Sequence, residues 1–232
     1  MNSYKHFSFD LWLTLIKSHP SFKQERNRFF YDNFNQKNKS LEEVTRIFRQ
    51  VDLMCNAINE KTGNNLEAEE MYLMVISEMN DHEKSFHDID LSALYDEMEQ
   101  LVFKYLPVIY CDNTSSALSR LKQSGNNTLS LLSNTAFIKG RTLREVLKRL
   151  EIHHLFDFQL YSDEVGMSKP NQELFQLMIR TVTSHRNEES IQLNEIIHIG
   201  DNIKADIEGG SIAGISTLLI NSNNKSILSL FN

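Results

Sequence analysis

Four places in the chain set a polar side chain at or just beyond the end of an apolar run. The first is Phe7-Ser8-Phe9-Asp10, followed four residues later by Thr14; the second is Leu131-Leu132-Ser133-Asn134. The third is Ser168-Lys169-Pro170, and the fourth is Ile199-Gly200-Asp201, with Asp206 five residues further on. Taken singly, each has an ordinary explanation. Asp10 reads as a strand-end turn former, Ser133 and Asn134 as helix caps, Lys169-Pro170 as a surface pair and Gly200-Asp201 as a turn. Taken together, they describe a site. Asp10, Asp201 and Asp206 would repel one another if gathered, and the remedies are a raised pKa or a bound cation. All-oxygen ligands with no histidine or cysteine among them and a lysine alongside point to Mg²⁺.

Such a gathering needs strands that end together. Tyr4 to Phe9 reads as a strand, as do Thr128 to Leu132, Phe158 to Tyr161, Ile196 to Ile199 and Ser216 to Ile220. Helical patterns separate the later ones, over Ser115 to Gln123, Arg141 to Leu150, Glu173 to Thr183 and about Ile203 to Glu208. That alternation predicts an α/β fold with a parallel sheet covered on both faces, whose ligands bind beyond the carboxyl ends of the strands. Thr14 to Ser133 is too long for one crossover. An all-helical insertion accounts for the excess. Its clearest helix starts at Ser40, which has capping-box spacing to Glu43, and carries Val44, Ile47, Phe48, Val51 and Cys55 before ending at Gly63. Three more helices are expected around Phe22 to Phe34, Met71 to Met79 and Leu91 to Tyr105, with Pro20 and Pro107 flanking the insertion. The domain division is therefore 1–17 with 108–232 as the α/β core, and 18–107 as the insertion.

Composition narrows the classes. A chain of 232 residues, 41% hydrophobic, can bury a sizeable core. Its formal charge of −7 lacks the basic face a nucleic-acid binder needs. The two cysteines, Cys55 and Cys111, form neither a CxxC zinc pattern nor a disulfide framework. No apolar run is long enough for a membrane span, and the N-terminal run is interrupted by Asp10 and lacks a basic leader. The expectation is a soluble cytoplasmic protein, monomer or homodimer. Arg26, Arg46 and Arg49 read as a solvated helical face, and His198 as a strand residue.

The four motifs, in this order, resemble those of the haloacid dehalogenase superfamily: Asp-x-Asp-x-Thr after a strand, a strand ending in Ser or Thr, Lys-Pro in a loop, and Gly-Asp-x-x-x-x-Asp. The resemblance implies a Rossmann-like, doubly wound core, with the insertion as a helical cap. It implies a hydrolase whose nucleophile is Asp10, with Thr14 orienting the turn and Ser133, Asn134 and Lys169 holding the phosphoryl oxygens of a small phosphorylated metabolite. Mg²⁺ would be held by Asp10, Asp201 and the backbone carbonyl of Trp12, with Asp206 as ligand or in support. One position departs from the pattern. Trp12 stands where the family's phosphatases carry a second aspartate, the general acid and base, and an indole has neither function. The side chain of Trp12 then becomes a wall of the substrate site. Two alternatives follow from the same position: halide hydrolysis of a 2-haloacid, and a binding or regulatory protein with weakened turnover.

Overall fold

In the computed structural model, which describes residues 4–186 and 190–231, the strand His6–Phe9 (β1) is the middle of a five-stranded parallel sheet. A two-residue strand Ile16–Lys17 (β2) leads into four helices, Phe22–Phe34 (α1), Leu41–Thr62 (α2), Ala68–Met79 (α3) and Leu91–Lys104 (α4). The chain then returns through Val108–Ile109 (β3) and helix Thr114–Gln123 (α5) to Thr128–Ser133 (β4). Helix Gly140–Arg149 (α6), strand Phe158–Tyr161 (β5), the single turn Ser162–Val165 (α7) and helix Gln172–His185 (α8) come next. Strand Ile196–Gly200 (β6), a π-type turn over Ile203–Glu208 running into Gly209–Ile212 (α9), and strand Ser216–Leu219 (β7) complete the core. The outer bounds 1–3 and 232 of the expected core, and its internal residues 187–189, lie outside the described residues.

The sheet order is β5-β4-β1-β6-β7. Phe9 pairs with Leu131 on one side and Ile199 on the other, so Asp10, Ser133 and Asp201 follow at the same end of three adjacent strands. The period of two along each strand divides the residues between faces. Phe7, Phe9, Leu129, Leu131, Ile197 and Ile199 pack with Leu118, Leu143, Val146 and Leu147 of α5 and α6. On the other face, Leu132 and Ile196 meet Leu174, Phe175, Met178 and Val182 of α8. The same second face carries buried His6, Ser8, Ser130 and His198, a polar seam where the sequence pattern suggests only burial.

The insertion gathers around a second apolar cluster, which Phe137 joins from beyond β4. Phe30 is fully buried, edge-on to Phe48 and stacked on Tyr72, with centroid distances of 4.9 and 5.4 Å. The Ser40–Glu43 capping box forms as the spacing predicts, and Gly63 ends α2 in the left-handed region at φ +72°. Met71, Met79 and Met98 are buried, whereas Met54 is exposed. One expectation fails here: Arg46 and Arg49 are exposed, but Arg26 is buried, its guanidinium 3.9 Å from the centroid of Phe48 and 4.8 Å from that of Phe137. Aromatic faces accept a cation that a helical periodicity would send to solvent. No helix among the described residues is long and apolar enough to cross a membrane.

Truncating Phe30→Ala is expected to cost about 3–5 kcal/mol of unfolding free energy, because its four ring neighbours cannot collapse into the space left. Urea denaturation measures it; a loss under about 1 kcal/mol would mean that the cluster is loosely packed.

Candidate active site

Past β1 the chain makes a tight turn rather than entering a helix. Asp10 N–H donates to the Ile199 carbonyl at 2.8 Å, and Leu15 and Ile16 N–H groups both donate to the Leu11 carbonyl. Leu13 is held at φ +59°, a left-handed conformation that costs a leucine about 1 kcal/mol or more. Asn221, after β7, holds this turn by donating its amide to the Leu13 and Thr14 carbonyls at 2.7 and 3.0 Å. Of the four carbonyls from Leu11 to Thr14, only that of Trp12 is without a hydrogen bond from a described residue. Thr14 Oγ1 donates to Asp10 Oδ2 at 3.1 Å and lies 3.4 Å from Asp201 Oδ1.

Asp10, Asp201 and Asp206 each offer a carboxylate oxygen, and the three oxygens lie within 4.8 Å of one another. Burial pushes Asp10 up to about 7 despite the pull of Lys169, with Asp206 adding to the rise. Burial and Asp206 likewise raise Asp201 to about 6. Asp206 goes the other way: burial works against its charge, but the Lys169 ammonium and the His198 hydrogen bond hold it well below the usual carboxylate range. Three oxygen donors this close, two of them reluctant to ionise alone, fit a hard divalent cation.

Among the described residues, and besides any charge on His198, the one cation that contacts these carboxylates as an ion pair is Lys169. It is 1% exposed, and its Nζ donates to Asp10 Oδ1 at 2.8 Å and to Asp206 Oδ1 at 2.6 Å. Burial favours the neutral amine, yet Asp10 and Asp206 outweigh it and raise the lysine pKa. The loop carrying it is strapped from two sides. Asn134 accepts from Lys169 N–H at 2.7 Å and donates to its carbonyl at 3.0 Å. Both polar ends of this amide thus engage the lysine main chain. The Ser133 hydroxyl donates to the Asn134 carbonyl at 3.2 Å. From the insertion, the Gly63 carbonyl accepts Ser168 N–H and the Asn171 amide, both at 3.0 Å, while Asn65 N–H donates to Gly166.

All eight residues singled out in the sequence therefore lie on the same end of the sheet or on loops that reach it. The asparagines that hold the loops, Asn221 and Asn202, were not among them. Asn202 caps the π-type turn through Lys204 and Ala205 N–H, and its own N–H donates to Asp206 Oδ2 at 3.0 Å. A Cβ on Gly200 would come within 2.1 Å of Asp206 Oδ2, so that glycine is where the carboxylate passes the strand. His198 lies in β6, as the sequence reading has it, and its Nε2 is bonded to Asp206. Its signal in the sequence was a polar side chain in the apolar run before Gly200-Asp201.

A sequence model described as haloacid dehalogenase-like hydrolase matches residues 7–220. A glyceraldehyde 3-phosphate phosphatase of Methanothermobacter thermautotrophicus is 39% identical over 110 residues, covering 47% of this chain and 44% of that one. A ribulose-1,5-bisphosphate 5-phosphatase of Halopiger xanaduensis is 24% identical over 169 residues, 73% of this chain and 65% of that one. The chain thus spans less than two thirds of the length of either relative. In fold it is similar to Bacillus subtilis YfnB, a structure bound to magnesium, with a TM-score of 0.71 and 18% identity over 96% of this chain and 91% of that one.

The raised carboxylates fix the sign of a pH effect. Folding holds protons on Asp10 and Asp201 up to about 7 and about 6, where the unfolded chain has already lost them, so these groups withdraw stability as pH climbs from about 4 to 7. A divalent cation held by these carboxylates would replace those protons. Mg²⁺ is expected to raise Tm more at about pH 8 than at about pH 5, relative to a chelator control. Thermal melts at both pH values check this, and an equal rise at both would contradict it.

Proposed function

The chain belongs to the haloacid dehalogenase-like hydrolases, and on that footing we propose that it hydrolyses a small phosphorylated metabolite through an aspartyl phosphate on Asp10. The observation that carries this is the Asp10 carboxylate held between Lys169 and Thr14 and beside Asp201 and Asp206. Matched phosphatases among the curated relatives favour a phosphate ester as substrate.

An Asp10 oxygen attacks phosphorus as the bond from phosphorus to the ester oxygen breaks. Water then attacks the phosphorus of the aspartyl phosphate, releasing inorganic phosphate and restoring the carboxylate. Lys169 places positive charge where charge spreads over the transferring group. Mg²⁺ would be held by Asp10, Asp201 and the Trp12 carbonyl, with Asp206 close by, and would supply further charge neutralisation. The magnesium in the Bacillus neighbour supports that choice of cation. The inserted segment 18–107 serves as a cap: it packs around its own cluster and reaches the Lys169 loop through Gly63 and Asn65.

Trp12 leaves the departing oxygen without a side-chain acid at that position. The proposed enzyme is therefore best with esters whose leaving group needs little protonation. The retained Asp201 and Asp206, and the engagement of Asn134 by Lys169, favour this reading over halide hydrolysis.

Assaying a panel of phosphate esters with and without Mg²⁺ should give phosphate release that needs the metal and disappears in Asp10→Asn. Release that is absent throughout, or indifferent to Asp10, would overturn the proposal, and halide release persisting in chelator would replace it. Trp12→Asp is expected to raise kcat on alkyl phosphates by roughly a hundredfold or more. A variant no faster than wild type would show that Trp12 is not standing in the acid's place.

A further inference from the structure

The lysine that faces Asp10 is itself held by something. Lys169 reaches Asp10 and Asp206 at once, so its position depends on where the Asp206 carboxylate sits. Asp206 is 1% exposed, and both its oxygens are taken: Oδ2 by Asn202 N–H at 3.0 Å, and Oδ1 by Lys169 and by His198 Nε2 at 3.1 Å. A carboxylate oxygen that already takes the lysine ammonium acts as acceptor, so Nε2 of His198 carries the proton. Nδ1 must then accept, and the Ser8 hydroxyl lies 2.9 Å from it. Phe175 packs edge-on to the imidazole at 5.5 Å and 89°, which holds the plane of the ring.

Ser8 and His198 are register partners on β1 and β6, and Ser8 stands two residues before Asp10 on the same strand. The contacts therefore close a ring: Ser8 to His198, to Asp206, to Lys169, to Asp10, and back along β1. We propose that His198, oriented by Ser8, is a positioning residue that fixes Asp206 and through it aims the Lys169 ammonium at the phosphoryl side of Asp10. Packing alone would explain a buried histidine, but not one with both nitrogens directed into this chain of contacts. The alternative, a satisfied core histidine, predicts loss of stability and nothing specific at Lys169.

The functional part of the proposal rests on the phosphohydrolase reading, so the test reads the lysine directly as well as ligand binding. Lysine-labelled protein is examined by ¹H–¹⁵N NMR for a protected ammonium signal, assigned by its absence in Lys169→Met. Inorganic phosphate binding is measured by calorimetry in Mg²⁺. His198→Phe, folded by circular dichroism, is expected to shift or lose the ammonium signal and to weaken phosphate binding about tenfold or more, as removal of groups that orient ligating side chains commonly does. His198→Gln keeps a donor within reach of Asp206 and is expected to recover both, with Ser8→Ala intermediate. The proposal is overturned if wild type shows no protected ammonium, if His198→Phe leaves the signal unchanged, or if His198→Gln loses it as fully as His198→Phe. Should the ammonium respond as expected while wild type binds no phosphate, the positioning holds and the phosphohydrolase reading fails.

Discussion

One ammonium among three carboxylates sets the terms for this end of the molecule. Lys169 bridges Asp10 and Asp206, and Asp201 stands beside them, so the buried cluster carries an excess of negative charge that the protein neutralises only in part. Desolvation makes each uncompensated charge costly. The surrounding structure follows from that constraint. Asp206 is surrounded by donors and keeps its charge, whereas Asp10 and Asp201, with fewer, are driven toward their neutral forms. The same imbalance makes the cluster suited to a divalent cation.

The backbone that carries these groups is shaped to let them meet. Leucine in a left-handed conformation at position 13, an asparagine clamp from beyond β7, and a glycine at position 200 that leaves space for a carboxylate are all local costs or constraints. They persist because the sheet beneath is uniform and well buried on one face, with Phe7, Phe9, Leu131 and Ile199 packed against α5 and α6. The other face gives up apolar area to a polar seam that leads from the interior to the cluster.

How far the chain could be read before its structure was known divides along the range of the interaction. Helix starts and stops such as Ser40, Glu43 and Gly63 depend on neighbours within a few residues, and they stand where the spacing puts them. Strands that end in Asp10, Ser133 and Asp201 were legible because apolar runs and their polar terminators are local too. What escaped is what depends on partners far along the chain. The β2–β3 pairing joins Ile16 to Ile109, and Asn134 finds Lys169 across 35 residues. Arg26 enters an aromatic pocket completed by Phe137, and His198 acquires its role from Ser8, 190 residues away. The turn after Asp201 was read as an ordinary helix because a π-type turn leaves the same apolar spacing over so few residues.

The strap between the insertion and the Lys169 loop bears on how the molecule would work through a cycle. Gly63 binds the residue immediately before the lysine, and Asn65 binds the start of the same loop. These are main-chain bonds with little slack. A displacement of the insertion would break them and leave the Lys169 main chain to the Asn134 clamp. The place of the ammonium is thus set jointly by the core and by the insertion.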